Sequence, residues 1–189
     1  SDLATGTTNT VTDDKTARVV GTENTVTGSE DANVLGNTNK VENSNNANIV
    51  GNNNTVSDTF YADNGTKDAP APSVDVRIMG NNNEIRGSRK QHVIGDNNTI
   101  IGRDNGTVTD YGHPEGREYN ISDLTIGRGN LIKNTSTYRN EWDALTVIGN
   151  NNKADYDTAS AGGPTAGIVI GDNQNIDTIA ESIVIGSLS

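Results

Sequence analysis

Residues 34–41 read Val-Leu-Gly-Asn-Thr-Asn-Lys-Val, and residues 49–56 read Ile-Val-Gly-Asn-Asn-Asn-Thr-Val. In both stretches two aliphatic residues precede a Gly, an Asn stands three residues after it, and an aliphatic residue stands five residues after it. The two stretches are 15 residues apart. Self-similarity at a fixed period is typical of solenoids, in which each repeat forms one coil. The fold therefore depends on how far this pattern extends along the chain.

The pattern extends over essentially the whole chain. Its anchoring glycines are Gly6, Gly21, Gly36, Gly51, Gly80, Gly95, Gly127, Gly149, Gly171 and Gly186, with spacings of 15, 15, 15, 29, 15, 32, 22, 22 and 15. Fifteen residues suit a coil of two short strands and two tight turns, with each strand paired in parallel to its copies in neighbouring coils. The aliphatic residue five after Gly is predicted to begin the second strand, and the repeated Asn predicts a stacked polar ladder that satisfies the turn backbone. The longer spacings place extra residues near 57–75, 103–121, 133–143 and 155–166. We therefore predict a single all-β domain over residues 1–189, a parallel β-solenoid of about ten 15-residue coils with four insertion loops.

The composition excludes several classes of protein. With 28 Asn, 23 Thr and 21 Gly in 189 residues, a helical protein is not expected. The net charge of −11 argues against nucleic-acid binding, and no apolar run is long enough to insert in a membrane as a helix. The chain lacks Cys and has two His, and it carries no Gly-x-Ser-x-Gly motif and no phosphate-binding loop. We expect no enzymatic activity, no cofactor and no metal.

The residues before each anchoring Gly predict that the first strand of each coil is buried on both faces. Both of these positions are apolar in nearly every repeat, and neighbouring strand residues point to opposite sides. One side can fill the interior of the solenoid, and the other needs a cover, for which self-association is the better explanation. Candidate core or subunit-contact residues are Val34, Leu35, Ile49, Val50, Ile78, Met79, Val93, Ile94, Val147, Ile148, Val169, Ile170, Val184 and Ile185.

Residues 182–189, Ser-Ile-Val-Ile-Gly-Ser-Leu-Ser, resemble one coil of the YadA-like head of trimeric autotransporter adhesins. That family's coil reads Asn-Ser-Val-Ala-Ile-Gly-x-x-Ser-x-Ala-x-Gly-x-x-Ser, and its second Gly corresponds to Gly28, Gly87 and Gly102 here. The resemblance implies a left-handed parallel β-roll that packs by its inner strands into a homotrimer. The chain departs from the family in its period of 15 rather than 14 and in having Asn, not Ser, three residues after Gly. Three residues before Gly the family prefers Val, whereas this chain often has a polar residue: Asn33, Asn48, Arg77 or His92.

The resemblance also implies a function and a location. A YadA-like head is part of a longer, anchored protein on the bacterial cell surface, on the extracellular side of the outer membrane. The resemblance implies a role in host attachment and virulence. The implied partners are a host cell-surface receptor, an extracellular matrix protein, a glycan or another bacterium.

The insertions contain all seven aromatic residues of the chain. Tyr and Trp are frequent anchors of protein interfaces and sugar-binding surfaces, so we expect at least one insertion to contact a ligand. For any single aromatic residue, packing of its own loop against the roll is as good an explanation as contact with a ligand. The candidate ligand-contact residues are Phe60, Tyr61, Tyr111, His113, Tyr119, Tyr138, Trp142 and Tyr156. The preferred groups are Trp142 with Tyr138, and Tyr111 with His113 and Tyr119. A basic patch of Arg86, Arg89, Lys90 and His92 is a further candidate, although an ordinary solvated turn is the simpler interpretation.

Three other functions remain open. The first alternative is a passive spacer of a surface fibre, although a spacer does not need long insertions with aromatic residues. Enzymatic hexapeptide solenoids repeat in multiples of six residues, which 15 is not. An ice-binding face would need an unbroken Thr row. The residues four positions after each Gly are Thr10, Thr25, Lys40, Thr55, Glu84, Thr99, Leu131 and Lys153, so charge interrupts that row.

Overall fold

The structure, a computed structural model, describes residues 2–57, 75–88, 90–102, 108–110, 113–117, 122–134, 144–156, 167–176 and 182–187. For residues 108–110, 113–117, 134, 155 and 156 the backbone alone is described. Over these ranges the chain forms 20 β-strands and no helix. Eighteen of the strands belong to two all-parallel sheets that enclose the core between them. The coils are numbered 1 to 10 by their anchoring glycines, from Gly6 to Gly186.

The first sheet contains one strand from each of the ten coils, in the order of the coils. Its strands are β1 (Leu3–Thr7), β3 (Arg18–Thr22), β5 (Asn33–Leu35), β7 (Asn48–Val50), β9 (Arg77–Met79), β11 (Gln91–Asp96), β15 (Asp123–Arg128), β17 (Leu145–Ile148), β19 (Gly167–Ile170) and β20 (Ser182–Ile185).

The second sheet contains the second strand of coils 1 to 8. Its strands are β2 (Thr10–Thr12), β4 (Thr25–Thr27), β6 (Lys40–Glu42), β8 (Thr55–Ser57), β10 (Glu84–Arg86), β12 (Thr99–Ile101), β16 (Leu131–Asn134) and β18 (Lys153–Tyr156). A parallel bridge between Lys153 and Asn175 extends the same pairing to coil 9. The remaining strands, β13 (Val108–Asp110) and β14 (His113–Arg117), form an antiparallel hairpin within the second insertion.

The pairing register reproduces the sequence repeat. Val34 pairs with Ile49, its equivalent 15 residues later. Where an insertion intervenes the register is kept, so Ile49 pairs with Ile78, 29 residues later. Each insertion therefore leaves and rejoins the roll without shifting the strands. The prediction of an all-β, parallel, two-strand coil is confirmed, whereas handedness and trimerisation remain predictions.

Strand alternation decides which residues form the core. In β7, Ile49 is 1% exposed while the next residue, Val50, is 46% exposed. The residue two before each Gly therefore points into the roll, and the residue directly before it points out. The second sheet contributes the aliphatic residue five after Gly, such as Val56, which is fully buried. This residue lies at the centre of a three-residue strand, and not at its start as the sequence suggested.

The Asn three residues after Gly forms a buried ladder that runs along the roll, as the sequence predicted. Asn54 donates both its backbone N–H and its Nδ2 to Oδ1 of Asn39, each at 3.0 Å. Its Nδ2 also donates to the carbonyl oxygen of Gly80 at 2.8 Å, and its Oδ1 accepts the same two bonds from Asn83. Because both polar atoms of the buried amide are satisfied, its burial is not costly. The ladder consists of Asn9, Asn24, Asn39, Asn54, Asn83, Asn98, Asn130, Asn152 and, in the last place, Gln174.

Candidate functional site

The four insertions leave the roll at the same point of the coil. Each follows a strand of the second sheet and precedes the next strand of the first sheet, at β8–β9, β12–β15, β16–β17 and β18–β19. Strands β12, β16 and β18 are direct neighbours in the second sheet. Three insertions therefore start from positions about 4.8 Å apart, the spacing of neighbouring strands. We call this side of the roll the insertion edge.

Most of the candidate ligand-contact residues lie outside the described residues. These are Phe60, Tyr61, Tyr111, Tyr119, Tyr138 and Trp142. For His113 in β14 and Tyr156 in β18 the described backbone gives a position but no side-chain contact. Their role in binding a ligand therefore stays a prediction, and the described fold locates the roots of the insertions that carry them.

A buried polar cluster lies where two of the insertions rejoin the roll. Asp123, the first residue of β15, is 2% exposed, and its Oδ1 accepts a hydrogen bond from the backbone N–H of Leu145 at 2.8 Å. Its Oδ2 accepts a second bond from Nε2 of Gln91 at 2.9 Å. Asp123 thus joins the first residues of β11, β15 and β17. This carboxylate therefore adds a side-chain link between coils 6, 7 and 8 to the pairing of their strands.

Sequence analysis missed this cluster, although a signal was present. The residue four before Gly points into the roll, and it is Ala in coils 2 to 4 and Val in coil 5. The change to Gln91 and then Asp123 breaks this apolar pattern beside the long insertions. A polar residue at a core position of a repeat is the kind of exception that indicates a local role.

The basic patch predicted from the sequence is divided between the two sheets. Arg86 lies on the outer face of β10 in the second sheet and forms an ion pair with Glu84 on the same strand. His92 lies on β11 in the first sheet, beside Arg77 of β9. Lys90 stands at the corner between them, with a left-handed φ of 53°, and Arg89 is outside the described residues. The described members therefore do not share one face.

The surroundings of His92 in the fold lower the pKa of its imidazole. Partial burial lowers the pKa of the imidazole, and the neighbouring Arg77 guanidinium lowers it further, while Asp75 opposes the shift. The neutral form of His92 is therefore favoured near neutral pH. This residue does not add a positive charge to the first sheet under those conditions.

The outer face of the first sheet carries a continuous row of apolar side chains that are exposed or, at Ile126 and Ile148, half-buried. Each is the residue directly before an anchoring Gly, and parallel pairing places each one above the next. Leu35 is 53% exposed, Met79 59% and Ile185 74%. We call this row the apolar column. It comprises Val20, Leu35, Val50, Met79, Ile94, Ile126, Ile148, Ile170 and Ile185.

A shallow groove lies where the apolar column meets the first turn of coils 6 to 8. Ile94 and Ile126 line it together with the polar side chains of Asp96, Arg128 and Asn150. Arg128 contacts Asp96 at 3.4 Å. Hydrogen bonds to Asp96 from the backbone and then the side chain of Asn81 lower the pKa of this carboxyl group, and Arg128 acts in the same direction. The carboxyl group of Asp96 is therefore ionised near neutral pH.

The outer face of the second sheet does not resemble an ice-binding surface. Its register aligns Thr25, Lys40, Thr55, Glu84 and Thr99 in one row. Lys40 forms an ion pair with Glu42 at 2.9 Å. Charged side chains thus interrupt the Thr row in the folded roll as they do in the sequence.

No protein-family model matches the chain, and no curated protein or solved structure is significantly similar to it. Within the described ranges no group of three or more His, Asp or Glu residues is placed to hold a metal ion. Across those same ranges the structure contains no helix of the length and apolarity that a membrane span requires.

Proposed function

We propose that this chain is the head of a trimeric surface adhesin, a non-enzymatic roll that presents its insertions to a partner. The observation that carries the proposal is the apolar column, which extends over coils 2 to 10 and remains exposed or half-buried in the single chain. Exposed apolar patches of this kind usually mark an interaction surface. Packing of three copies through this column would cover it and give the homotrimer that the YadA-like resemblance implies.

The insertion edge supports the second half of the proposal. The insertions contain every aromatic residue of the chain, and three of the four insertions start from adjacent strands. Three copies in one assembly would present the same loops three times, so weak single contacts would add up to firm attachment. The proposed partner is a host cell-surface receptor, an extracellular matrix protein, a glycan or another bacterium. The proposed location is the bacterial cell surface, outside the outer membrane.

The experiment that tests this function compares two aromatic pairs in different insertions. We expect the double variant Trp142→Ala/Tyr138→Ala to bind host cells or immobilised matrix proteins at least about tenfold less, since aromatic anchors dominate such contacts and three copies amplify each loss. Binding is measured with labelled protein on cells and on matrix-coated surfaces. Circular dichroism verifies that the roll is intact.

The matched control is Phe60→Ala/Tyr61→Ala, which removes two rings from the first insertion. Because its insertion starts from β8, separated from the other three by β10, a loss of binding confined to one of the two double variants assigns the ligand contact to that insertion. Equal binding by both variants and the unaltered chain would remove the 133–143 insertion from the site. A folded wild-type chain that binds no cell, matrix protein or glycan would contradict the adhesin function.

A further inference from the structure

A second row of side chains lies beside the apolar column on the same outer face. It consists of the residues three before each Gly, which share their side of the sheet with the residues directly before Gly because strand side chains alternate. We call this row the flanking column. From coil 1 to coil 10 it comprises Leu3, Arg18, Asn33, Asn48, Arg77, His92, Leu124, Thr146, Ile168 and Ile183.

The chemistry of the flanking column changes between coils 6 and 7. His92 pairs with Leu124, and from there the column continues through Thr146 to Ile168 and Ile183. Ile168 is 40% exposed and Ile183 69% exposed. Coils 7 to 10 therefore expose two adjacent rows without a charge, whereas coils 2 to 6 expose one apolar row beside polar and basic residues.

The charges of the flanking column are of one sign. Arg18 and Arg77 are exposed, and the column includes no carboxylate although the chain has a net charge of −11. In a cyclic assembly whose axis runs along the rolls, equivalent residues of the copies lie at the same height. Arg18 would then approach Arg18, and Arg77 would approach Arg77. Such like-charge contacts are unfavourable and are screened by salt over about 10 Å at 0.1 M.

The size and period of the face identify its occupant. Ten strands at about 4.8 Å give a face about 45 Å long, and two columns on alternate residues make it roughly 14 Å wide. The resulting area, on the order of 600 Å², approaches the roughly 800 Å² that each partner contributes to a standard interface. An apolar row that repeats at the spacing of the coils is matched row for row by a second roll of the same spacing. The occupant is therefore another copy of this chain.

We propose that coils 7 to 10 form the principal self-association contact of this chain, and that coils 2 to 6 contribute a weaker contact that depends on salt. This inference rests on the proposed homotrimer and specifies which part of the roll holds it together. The two uncharged rows of coils 7 to 10 exclude water from the contact. The Arg residues of coils 2 to 6 oppose close approach until salt screens them.

The test introduces one carboxylate into the flanking column, once within coils 7 to 10 and once within coils 2 to 6. Ile168→Asp places it in coil 9, and Asn48→Asp places it in coil 4. Asn48 accepts a hydrogen bond from Asn33 Nδ2 through Oδ1 at 3.1 Å, and Asp keeps that acceptor. Light scattering on a dilution series gives the concentration at which half of the protein is assembled. Thermal unfolding followed by circular dichroism verifies the fold of each variant.

We expect Ile168→Asp to raise that concentration at least about tenfold, because a charge must be buried in an apolar contact. Asn48→Asp is expected to leave it unchanged or to lower it, since the added carboxylate lies beside Arg77 of the next coil. If Ile168→Asp does not fold, Ile168→Thr replaces it, because Thr146 already occupies the flanking column. A wild-type trimer that Ile168→Asp leaves intact, or that Asn48→Asp disrupts more strongly, overturns this inference and leaves the trimer standing. A monomeric wild-type chain overturns both.

Discussion

The anchoring glycine of each of coils 1 to 9 is required by the backbone of the next coil. At Gly51 the backbone has φ +142°, and a Cβ atom would lie 1.8 Å from the carbonyl oxygen of Gly80. The same Gly80 carbonyl oxygen accepts a hydrogen bond from Asn54 Nδ2. Glycine and the buried Asn three residues later therefore form one unit. Neither can change without disturbing the contact between successive coils.

A prediction at the residue scale separates backbone strain from this close approach. Gly186 has nearly the same conformation, φ +146°, but a Cβ atom there would meet nothing within 4 Å. Gly186→Ala should therefore cost only the strain of its backbone, about 1–3 kcal/mol. Gly51→Ala should cost clearly more, since a backbone carbonyl must also move, and its unfolding transition should lose cooperativity. Denaturant unfolding of both variants checks this, and equal losses of stability would show that coil contact is not what requires Gly.

Strands of the first sheet present chemically similar residues to two different environments. In β17, Val147 is fully buried inside the roll, while Ile148 lies on the outer face and is half-buried. Cβ-branched aliphatic residues at both positions suit a strand that is covered on two sides. One side is covered by the second sheet of the same chain. The other side is the apolar column.

At the scale of the strand, we expect substitutions at two neighbouring residues to have different effects, one on folding and the other on assembly. Val147→Asp should prevent folding, because it buries an unpaired charge among apolar side chains. Ile148→Asp should leave the monomer folded and dissociate the assembly, since its side chain points out of the roll. Circular dichroism reports the fold and light scattering the mass. A folded Ile148→Asp variant at the wild-type mass would be incompatible with assembly through the apolar column.

The repeat determines how much of this fold could be predicted from the sequence. The period, the parallel pairing and the Asn ladder each recur in nearly every coil, so a local pattern was enough. The direction of alternation was not predictable, because Val147 and Ile148 have the same chemistry and only the position of the second sheet distinguishes them. Asp123 was missed because it occurs once, and its partners Gln91 and Leu145 are distant in sequence. Ligand contacts of the insertions depend on packing that has no period, and no repeat could reveal them.

At the scale of the whole molecule, the roll separates two surfaces that the proposed function needs. The apolar column lies on the outer face of the first sheet, and the insertions start from the turn that follows the second sheet. Assembly through the column would leave the insertion edge available to a partner. The buried Asp123 holds the insertion roots of adjacent coils in register. The proposed function therefore predicts that ligand binding and self-association can be altered independently of each other.

The native mass of the unaltered chain in solution tests the proposed homotrimer most directly. Size exclusion with light scattering, at several protein concentrations, gives this mass without a ligand or a label. We expect a species at three times the chain mass of 19.9 kDa, because other copies cover the apolar column in the proposed homotrimer. A soluble, folded monomer at every concentration would contradict it, since the column would then be stable in water and the adhesin head would lose its main support.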